Sequence, residues 1–525
     1  MKIFHGNIVT CNWKGAVYNY LVEEEGRIVY VGDDLPVVYR DGYYYDYEWV
    51  ELGSKALLPS FGDGHIHFSN WAVFNATFDV RQATSFNELG DIIKDYATRD
   101  KKAKVLFGYG HSSHSVKEKR LITRSELDKI VKDRPVFLVC YDGHSAVANS
   151  KAIGILPREI RSMRGFDLES GQLFNEAFLQ AVDFISGKIP LPTLVSYLLQ
   201  GIDSLAAYGV GLAHTVEGIG YPRDMDVDLV RFLARSTPLQ FRTYFQTMEL
   251  EKVLKRKLPR IGGCFSCALD GAFGTKDAAL VEPYTDNQNN SGILFYRDEV
   301  INQFVQRANR AGLQIQLHCI GDAAVVQAVN ALEAALKDYP RNDHRHTLIH
   351  AALIPEKSME KIAALNIGVN IQPGFLISPL EPPGYLESII GDRLRNVWPI
   401  KKMLEMGINV SGGSDAPVGL PDPLVGVSGA CRHFIPENSV EITDALCMHT
   451  YNIAHTSFDE AERGSLEEGR LADMIVLSGN PMETDTRNLP ELRVEKTYFS
   501  GEEYTGGKTI SQAIIEGVRN RELST

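Results

Sequence analysis

Eight short runs of apolar and β-branched residues recur along the middle of the chain, and amphipathic helical stretches such as 298–311 and 322–339 separate several of them. The runs span residues 56–61, 210–214, 241–245, 263–269, 313–318, 347–350, 368–371 and 408–411. Strands that alternate with helices predict a parallel sheet, because parallel neighbours need long crossover connections. Eight such units predict an α/β fold, a closed (β/α)₈ barrel of the TIM type.

The segments outside this repeat predict two further units. The stretch between the first two runs is too long for one crossover, so we expect a large insertion after barrel strand 1, at about residues 70–205, with its own strand at 136–140. Short β-like runs near both chain ends predict a small β-sandwich composed of residues 1–55 plus 455–525, with the barrel at 56–454. The aromatic cluster at 43–47 predicts a β-edge or a domain contact.

Composition and charge exclude several classes of protein. The 525-residue chain is 44% hydrophobic and 23% charged, which is typical of a soluble globular protein. A net charge of −13 without a run of Lys and Arg argues against a nucleic-acid partner, and no stretch approaches the roughly 20 apolar residues that span a bilayer. Seven scattered cysteines and a start without a signal-peptide core predict reduced thiols and a cytoplasmic location.

Two histidines follow the first predicted strand, in the string Asp63-Gly64-His65-Ile66-His67. On an extended segment, residues i and i+2 point to the same side, so both imidazoles can reach one metal ion. Their position strengthens the prediction, because barrel active sites lie at the carboxyl ends of the strands.

Three more potential ligands, His318, His350 and Asp415, each come at the end of a predicted strand. Taken singly, each of them is more often a structural residue. Five nitrogen and oxygen donors at the ends of four strands, however, predict a metal centre. Imidazoles with one carboxylate suit Zn²⁺, Fe²⁺ or Mn²⁺, and Zn²⁺ is the expected ion.

Residues 59–67, with the sequence PSFGDGHIH, resemble the opening metal motif of the amidohydrolase superfamily. Four further segments resemble its third subgroup of metal-dependent hydrolases, which includes N-substituted formamide deformylases: residues 142–144 with Asn149, 269–274 with 278–279, 318–324 and 413–418. Residues 464–473 resemble the return of the chain into the superfamily's small β-sandwich. The resemblance covers nearly the whole chain. It implies the barrel and the composite sandwich, and it suggests a homodimer.

The resemblance implies a set of metal ligands, namely His65, His67, His318, His350 and Asp415. It also implies that Asp415 moves the proton of the attacking water, and that His350 or the metal polarises the substrate. Three residues match positions near the family's substrate pocket, namely His144, Glu176 and Asp270. Glu176 is explained equally well as an exposed charge at the start of a helix.

One position departs from the family pattern. Many relatives carry a lysine four residues before the Asp-Gly of strand four, which bridges two metals once it is carboxylated, and Ser266 stands there in this chain. Serine cannot form a carbamate, so we expect one metal rather than two, unless a neighbouring cysteine supplies the bridge. Strand alternation puts Cys264 on the same face as Ser266 and Cys267 on the opposite face, but cysteines in barrel strands usually serve packing.

Together these features predict hydrolysis of a carbon–nitrogen bond, of the amide or formamide type, in a small-molecule substrate by metal-activated water. A mononuclear deaminase of a heterocyclic amine is the first alternative, because it uses the same ligands. A catalytically silent barrel with a regulatory or binding role is the second. In the insertion, Tyr109, His111 and His114 are candidates for specificity without assignable partners.

Overall fold

The structure is a computed structural model that describes residues 1–12, 15–40, 47–141 and 143–520. Asp142 and most of the aromatic cluster at 43–47 therefore lie outside the described residues, together with the predictions made for them. The amino-terminal part contains β1 (Lys2–Val9), β2 (Val17–Glu24), β3 (Arg27–Gly32), α1 (Val37–Arg40) and β4 (Glu48–Pro59).

The chain then enters the barrel with β5 (Phe61–Ile66) and leaves it at once for the insertion. The insertion contains α2 (Phe68–Ala76), β6 (Phe78–Asp79), α3 (Phe86–Arg99), β7 (Leu106–His111), α4 (Arg124–Ile130), β8 (Val136–Cys140), β9 (Ser145–Ala148), α5 (Ser150–Ile155), α6 (Arg158–Arg161), β10 (Gln172–Phe174), α7 (Asn175–Ser186) and α8 (Leu191–Ala207). Its strands form a five-stranded sheet in the order β10-β9-β8-β7-β6. The predicted insertion and its strand at 136–140, here β8, are confirmed.

The remaining barrel strands alternate with helices and short 3₁₀ turns. In chain order these are β11 (Val210–Glu217), a turn at Pro222–Asp224, α9 (Met225–Ala234), β12 (Gln240–Phe245), α10 (Leu250–Lys255), β13 (Arg260–Ala268), α11 (Asp298–Arg310), β14 (Gln314–Cys319), α12 (Asp322–Asp338), β15 (Thr347–His350), α13 (Glu356–Ala364), β16 (Gly368–Ile371), a turn at Pro373–Ile377, α14 (Pro383–Ile390), a turn at Gly391–Asn396, α15 (Ile400–Glu405) and β17 (Val410–Gly412).

The barrel strands are parallel and lie in the order β5-β11-β12-β13-β14-β15-β16-β17. The chain after β17 returns to β5. There the backbone N–H of Asp415 donates to the carbonyl of His65 at 2.8 Å, and that of His67 donates to the carbonyl of Ala416 at 2.9 Å. The predicted (β/α)₈ barrel is therefore confirmed.

Beyond the barrel the chain forms α16 (Pro423–Cys431), a 3₁₀ turn at Pro436–Asn438, α17 (Ile442–Met448), α18 (Tyr451–Thr456), β18 (Met474–Leu477), a 3₁₀ turn at Leu489–Glu491, β19 (Val494–Phe499), β20 (Glu502–Glu503) and α19 (Ile510–Arg519). Its strands join the amino-terminal strands in one seven-stranded sheet, in the order β20-β19-β18-β4-β1-β2-β3. This arrangement confirms that both chain ends build one β-rich unit.

The predicted position of the first barrel strand is wrong. Residues 56–59 belong to β4, which runs parallel to β1 and antiparallel to β18, and the barrel strand begins only at Phe61. Ser60 alone separates the two strands, so the apolar pattern runs on without a break and does not reveal the change of sheet. The correction places His65 on the barrel strand itself and His67 on the loop just beyond it.

Burial follows from the layered architecture. Every residue of β5, β11, β14, β15 and β16 is buried, because helices cover the outside of the barrel and side chains fill its inside. On α11, which matches the predicted helix at 298–311, Ile301, Phe304, Val305 and Ala308 are buried at helical spacing. Within the described ranges, no helix combines the length and apolar character that crossing a membrane requires.

Candidate active site

The predicted metal ligands meet at the carboxyl ends of the barrel strands. His65 lies on β5, His318 on β14 and His350 at the end of β15, while His67 and Asp415 come from the loops just after β5 and β17. All five side chains are buried. Oδ1 of Asp415 lies 3.2 Å from Nε2 of His65 and 3.2 Å from Nε2 of His67. The structure thus brings together the residues that the sequence predicted as ligands.

A sixth donor, the thiol of Cys264, lies among these ligands. Its Sγ is 3.3 Å from Nε2 of His65, 3.4 Å from Nδ1 of His318 and 3.8 Å from Nε2 of His350. The thiol therefore belongs to two groups of donors at once, one shared with His65 and His67 and the other with His318 and His350. The sequence analysis left a role for Cys264 open, and the structure places it in the cluster.

The backbone of β13 is irregular around this thiol. The pairing of β13 with β14 shifts register between residues 263 and 268, and Phe265 within this stretch has a φ of 47°, in the left-handed region. The two cysteines of β13 nevertheless lie on different sides, as strand alternation predicts. Cys264 lies in the cluster, and Cys267, three residues further on, is buried in the hydrophobic core.

A chain of amide side chains fixes the ring of His350. Its Nδ1–H donates to Oε1 of Gln372 at 2.5 Å, Gln372 donates to Oδ1 of Asn370 at 3.0 Å, and Asn370 donates to Oγ of Ser411 at 3.0 Å. Because the amide nitrogen of Gln372 donates its hydrogen bond to Asn370, the amide oxygen of Gln372 faces His350. Nδ1 of His350 therefore carries the proton, and its Nε2 presents a lone pair to the cluster.

Replacing Gln372 with Ala is expected to lower metal affinity by about 10–100-fold, because the ring of His350 loses the partner that fixes its tautomer and orientation. Affinity is measured by competition against a chromophoric chelator. Gln314→Ala is the matched control. Gln314 is also a buried glutamine, but it lies at the amino end of β14, away from the end that carries His318. An equal loss of affinity in both variants, or none in Gln372→Ala, would contradict this role.

A buried carboxylate supports the loop that carries Asp415. Oδ1 of Asp63 accepts from the backbone N–H of Ser414 at 2.9 Å and from that of His65 at 3.1 Å, so it ties this loop to β5. Burial raises the pKa of Asp63 to about 6, although its interactions with Ser414 and His65 oppose the rise. Asp415 itself has a φ of 54°, a left-handed conformation that these contacts hold in place.

Electrostatics keep three of the imidazoles and the carboxylate in the forms that bind cations, whereas burial raises the pKa of the Cys264 thiol, which would have to lose its proton to bind one. Burial lowers the pKa of His65 to about 4, and it also lowers the pKa values of His318 and His350. Burial alone would raise the pKa of Asp415, but the adjacent His65 and His67 outweigh it and hold this pKa well below the ordinary value. At neutral pH the three imidazoles are therefore neutral and the carboxylate is ionised.

The donor set fits a divalent metal. Neutral imidazoles, a cysteine thiolate and a carboxylate are the ligand types that Zn²⁺ takes in proteins, so Cys264 would bind after losing its proton. Among the described residues, the buried Oδ1 of Asp415 has no hydrogen-bond partner of acceptable geometry, although two imidazole nitrogens lie near it. Buried carboxylate oxygens are normally paired, so an oxygen left in this state is the kind of atom that a cation satisfies.

Two cavities meet at the cluster, and apolar side chains dominate the lining of each. The insertion cavity, of about 90 Å³, is lined among others by Phe74, Tyr109, Val139, Phe178, Leu179 and Val182. The loop cavity, of about 120 Å³, is lined among others by Phe273, Phe375, Leu386, Val397, Trp398 and Phe434. The side chains common to both cavities are His144, His318, His350, Asp415 and Val418. The metal-binding donors thus lie at the junction.

The three residues predicted to bind substrate fall in different places. His144 lines both cavities. Asp270 is buried beside His318 and accepts from three backbone N–H groups, those of Ala279, Ile320 and Gly321. Its pKa rises to about 7 through burial, against the effect of these donors. Glu176 is exposed in the first turn of α7 and lines neither cavity.

The three residues of the insertion that were candidates for substrate specificity also lie in different places. Tyr109 lines the insertion cavity, and its hydroxyl donates to the carbonyl of Tyr141. Nε2 of the buried His111 accepts from the backbone N–H of Ile122 at 2.8 Å, a contact within the insertion. His114 is exposed and lines neither cavity. Of the three, only Tyr109 reaches the site.

A parallel (β/α)₈ barrel with this donor set at its strand ends defines a metal-dependent barrel hydrolase. The sequence profile of the Amidohydrolase family matches residues 48–504. The chain therefore belongs to the Amidohydrolase family, and it is a metal-dependent hydrolase that acts on carbon–nitrogen bonds. Membership of this family, together with its hydrolase relatives, supports an enzyme over the catalytically silent barrel.

Similarity to individual relatives extends over the full length of the chain. It is 27% identical to YtcJ of Bacillus subtilis (strain 168), provisionally named an amidohydrolase, over 93% of this chain and 98% of that protein. It is 24% identical to N-substituted formamide deformylase of Arthrobacter pascens, over 95% of this chain and 97% of that protein. The crystal structure of an uncharacterized metal-dependent hydrolase from Pyrococcus furiosus superposes with a TM-score of 0.74 at 26% identity, covering 92% of this chain and 100% of that one.

Proposed function

We propose that this enzyme hydrolyses the carbon–nitrogen bond of an amide or formamide in a small-molecule substrate. One observation carries the proposal: donors from the ends of five barrel strands converge where two apolar cavities meet. The full-length similarity to N-substituted formamide deformylase supports this type of bond. A homodimer in the cytoplasm stays a prediction of the sequence.

We also infer that the site would hold two divalent metals, expected to be Zn²⁺, with Cys264 among the residues that hold them. Its Sγ belongs to two donor groups, so the cysteine would supply a ligand to each of them, which Ser266 lacks the chemistry to do. Thiolate together with imidazole favours Zn²⁺ over Fe²⁺ or Mn²⁺. This proposal replaces the expectation of a single metal, which rested on the absence of a lysine.

When bound, the metal supplies an activated water molecule and positive charge that stabilises the developing oxyanion. Asp415 is ionised at the junction of the cavities, so its carboxylate can take a proton from the attacking water and deliver it to the leaving nitrogen. His144 lines both cavities and is placed to contact the substrate carbonyl. The water oxygen bonds to the acyl carbon, the C–N bond breaks, and the products are a carboxylic acid and an amine.

The test combines elemental analysis of protein purified without chelators with assays of amine release from N-butylformamide and N-butylphenylacetamide. We expect about two zinc ions per chain, amine release, loss of turnover with a chelator and recovery with Zn²⁺. Ammonia release from heterocyclic amines without amide cleavage would favour the deaminase instead. Protein that takes up no Zn²⁺, Mn²⁺ or Fe²⁺ would contradict the proposal.

A further inference from the structure

The two cavities share the side chains at the cluster and are otherwise lined by different parts of the fold. The insertion cavity reaches from the cluster towards α2, α7 and the inserted sheet, and the loop cavity reaches towards the loops after β13, β15 and β16. Both include His144 and Asp415 in their linings. A substrate whose scissile bond sits at Asp415 therefore has room for one substituent in each direction.

The volumes set the size of these substituents. An apolar cavity of about 150 Å³ accommodates benzene, so the loop cavity, of about 120 Å³, suits a small aromatic ring or a branched chain after slight adjustment. The insertion cavity, of about 90 Å³, suits a short alkyl chain. A formamide carries only hydrogen on its acyl carbon and would leave one of the two cavities without a substituent.

Charge further narrows the substrate class. Among the described residues, neither cavity is lined by Lys or Arg, while Glu381 and Asp415 contribute carboxylates to the loop cavity. A carboxylate on the substrate would lose its hydration in an apolar lining without a basic side chain to pair with, which disfavours its binding there. The linings therefore favour a substrate without a negative charge.

We propose, as an extension of the proposed function, that the substrate is a neutral secondary amide with an apolar group on each side of the scissile bond. One group is aromatic or branched and fills the loop cavity, and the other is a short alkyl chain in the insertion cavity. Water adds to the acyl carbon, the C–N bond breaks, and the nitrogen receives a proton. The products are a carboxylic acid with an apolar substituent and a primary amine.

Four probes separate these features. N-butylphenylacetamide carries both apolar groups. N-butylformamide lacks the apolar group on the acyl carbon, and phenylacetamide lacks the alkyl group on the nitrogen. N-(phenylacetyl)-4-aminobutyrate carries a carboxylate in place of the terminal methyl of the butyl chain. With zinc-loaded protein, we expect kcat/KM for N-butylphenylacetamide to exceed that for either one-group amide by at least about tenfold, because an apolar group in a fitted pocket contributes that much. We expect at least about a hundredfold preference over the carboxylate probe.

Two substitutions block one cavity each. Leu179→Trp narrows the insertion cavity and Leu380→Trp narrows the loop cavity, and both leucines are half-buried, so a larger side chain can be accommodated without refolding. Leu254→Trp, on the exposed side of α10 outside both cavities, is the matched control. Each cavity variant should lower kcat/KM for N-butylphenylacetamide about tenfold or more and spare the one-group amide that uses the other cavity.

The outcomes are distinguishable. If N-butylformamide is hydrolysed as well as N-butylphenylacetamide, and both cavity variants behave like Leu254→Trp, the two-group inference is overturned while the proposed function stands. Equal turnover of the carboxylate probe would overturn the requirement for a neutral substrate. If zinc-loaded protein hydrolyses none of the amides, the proposed function fails and the inference fails with it.

Discussion

An Asp415→Asn variant is expected to lose about 10²–10⁴-fold in kcat, the contribution that a positioned general base makes. Asparagine keeps the shape of the side chain and one oxygen that can face His65 and His67. It cannot take a proton from the attacking water or return one to the leaving nitrogen. We therefore expect an intact fold and retained metal together with a large loss of turnover, measured by amine release and by elemental analysis.

Asp422→Asn is the matched control for this prediction. Asp422 lies seven residues further along the same loop, where its carboxylate accepts from the backbone N–H of Leu424 at 3.0 Å, and it lines neither the insertion cavity nor the loop cavity. An asparagine oxygen can make the same contact, so this variant should keep near-wild-type kcat. Near-wild-type turnover in Asp415→Asn as well would remove Asp415 from the proton-transfer role.

Much of the barrel and its ligands could be predicted from the sequence, because both leave local signals. A barrel strand appears in the sequence as a short apolar run, and functional residues lie at the carboxyl end of the strand. His318 and His350 fit this pattern, because each lies at the carboxyl end of its strand, and the structure places them where the pattern indicates. The insertion was predictable from its length alone, since no single crossover uses so many residues.

The features that escaped prediction depend on irregular backbone and on contacts distant in sequence. The sequence left open whether Cys264 joins the cluster, and β13 is irregular around it. His350 and Asp415 are non-glycine residues with φ values of 66° and 54°. Neither conformation is apparent from residue type, since such strain persists only where the surrounding structure enforces it. Gln372 also comes directly after β16, but a glutamine is not a metal-ligand type, and only the fold shows that it orients His350.

The substrate side of the site also depends on contacts that are distant in sequence. The insertion cavity is built from α2, α7 and inserted strands that are far apart in the chain, so no spacing links Phe74 to Phe178. Glu176 matched a family position but lies exposed on α7, two residues before the Phe178 that does reach the cavity. Helix periodicity alone turns neighbouring side chains to different faces.

A Cys264→Ala variant is expected to reduce the bound zinc from about two ions per chain to one or fewer. It should also lower kcat by about a hundredfold or more. This exceeds the roughly 10–100-fold loss of activity or metal affinity expected when a residue that only hydrogen-bonds to a metal ligand is removed. The reason is geometric, because Sγ is the one donor atom shared by the group with His65 and His67 and the group with His318 and His350. Elemental analysis after gel filtration gives the stoichiometry, and amine release gives the rate.

Cys267→Ala controls for the loss of a buried thiol from the same strand. Cys267 is fully buried in the hydrophobic core and belongs to none of the donor groups found among the described residues, so its replacement should cost some stability but leave the zinc content unchanged. If Cys264→Ala retains two zinc ions, the thiolate is not the bridge. If wild-type protein binds a single zinc and Cys264→Ala binds it equally well, the site works with one metal held by the histidines and Asp415, as the missing lysine first indicated.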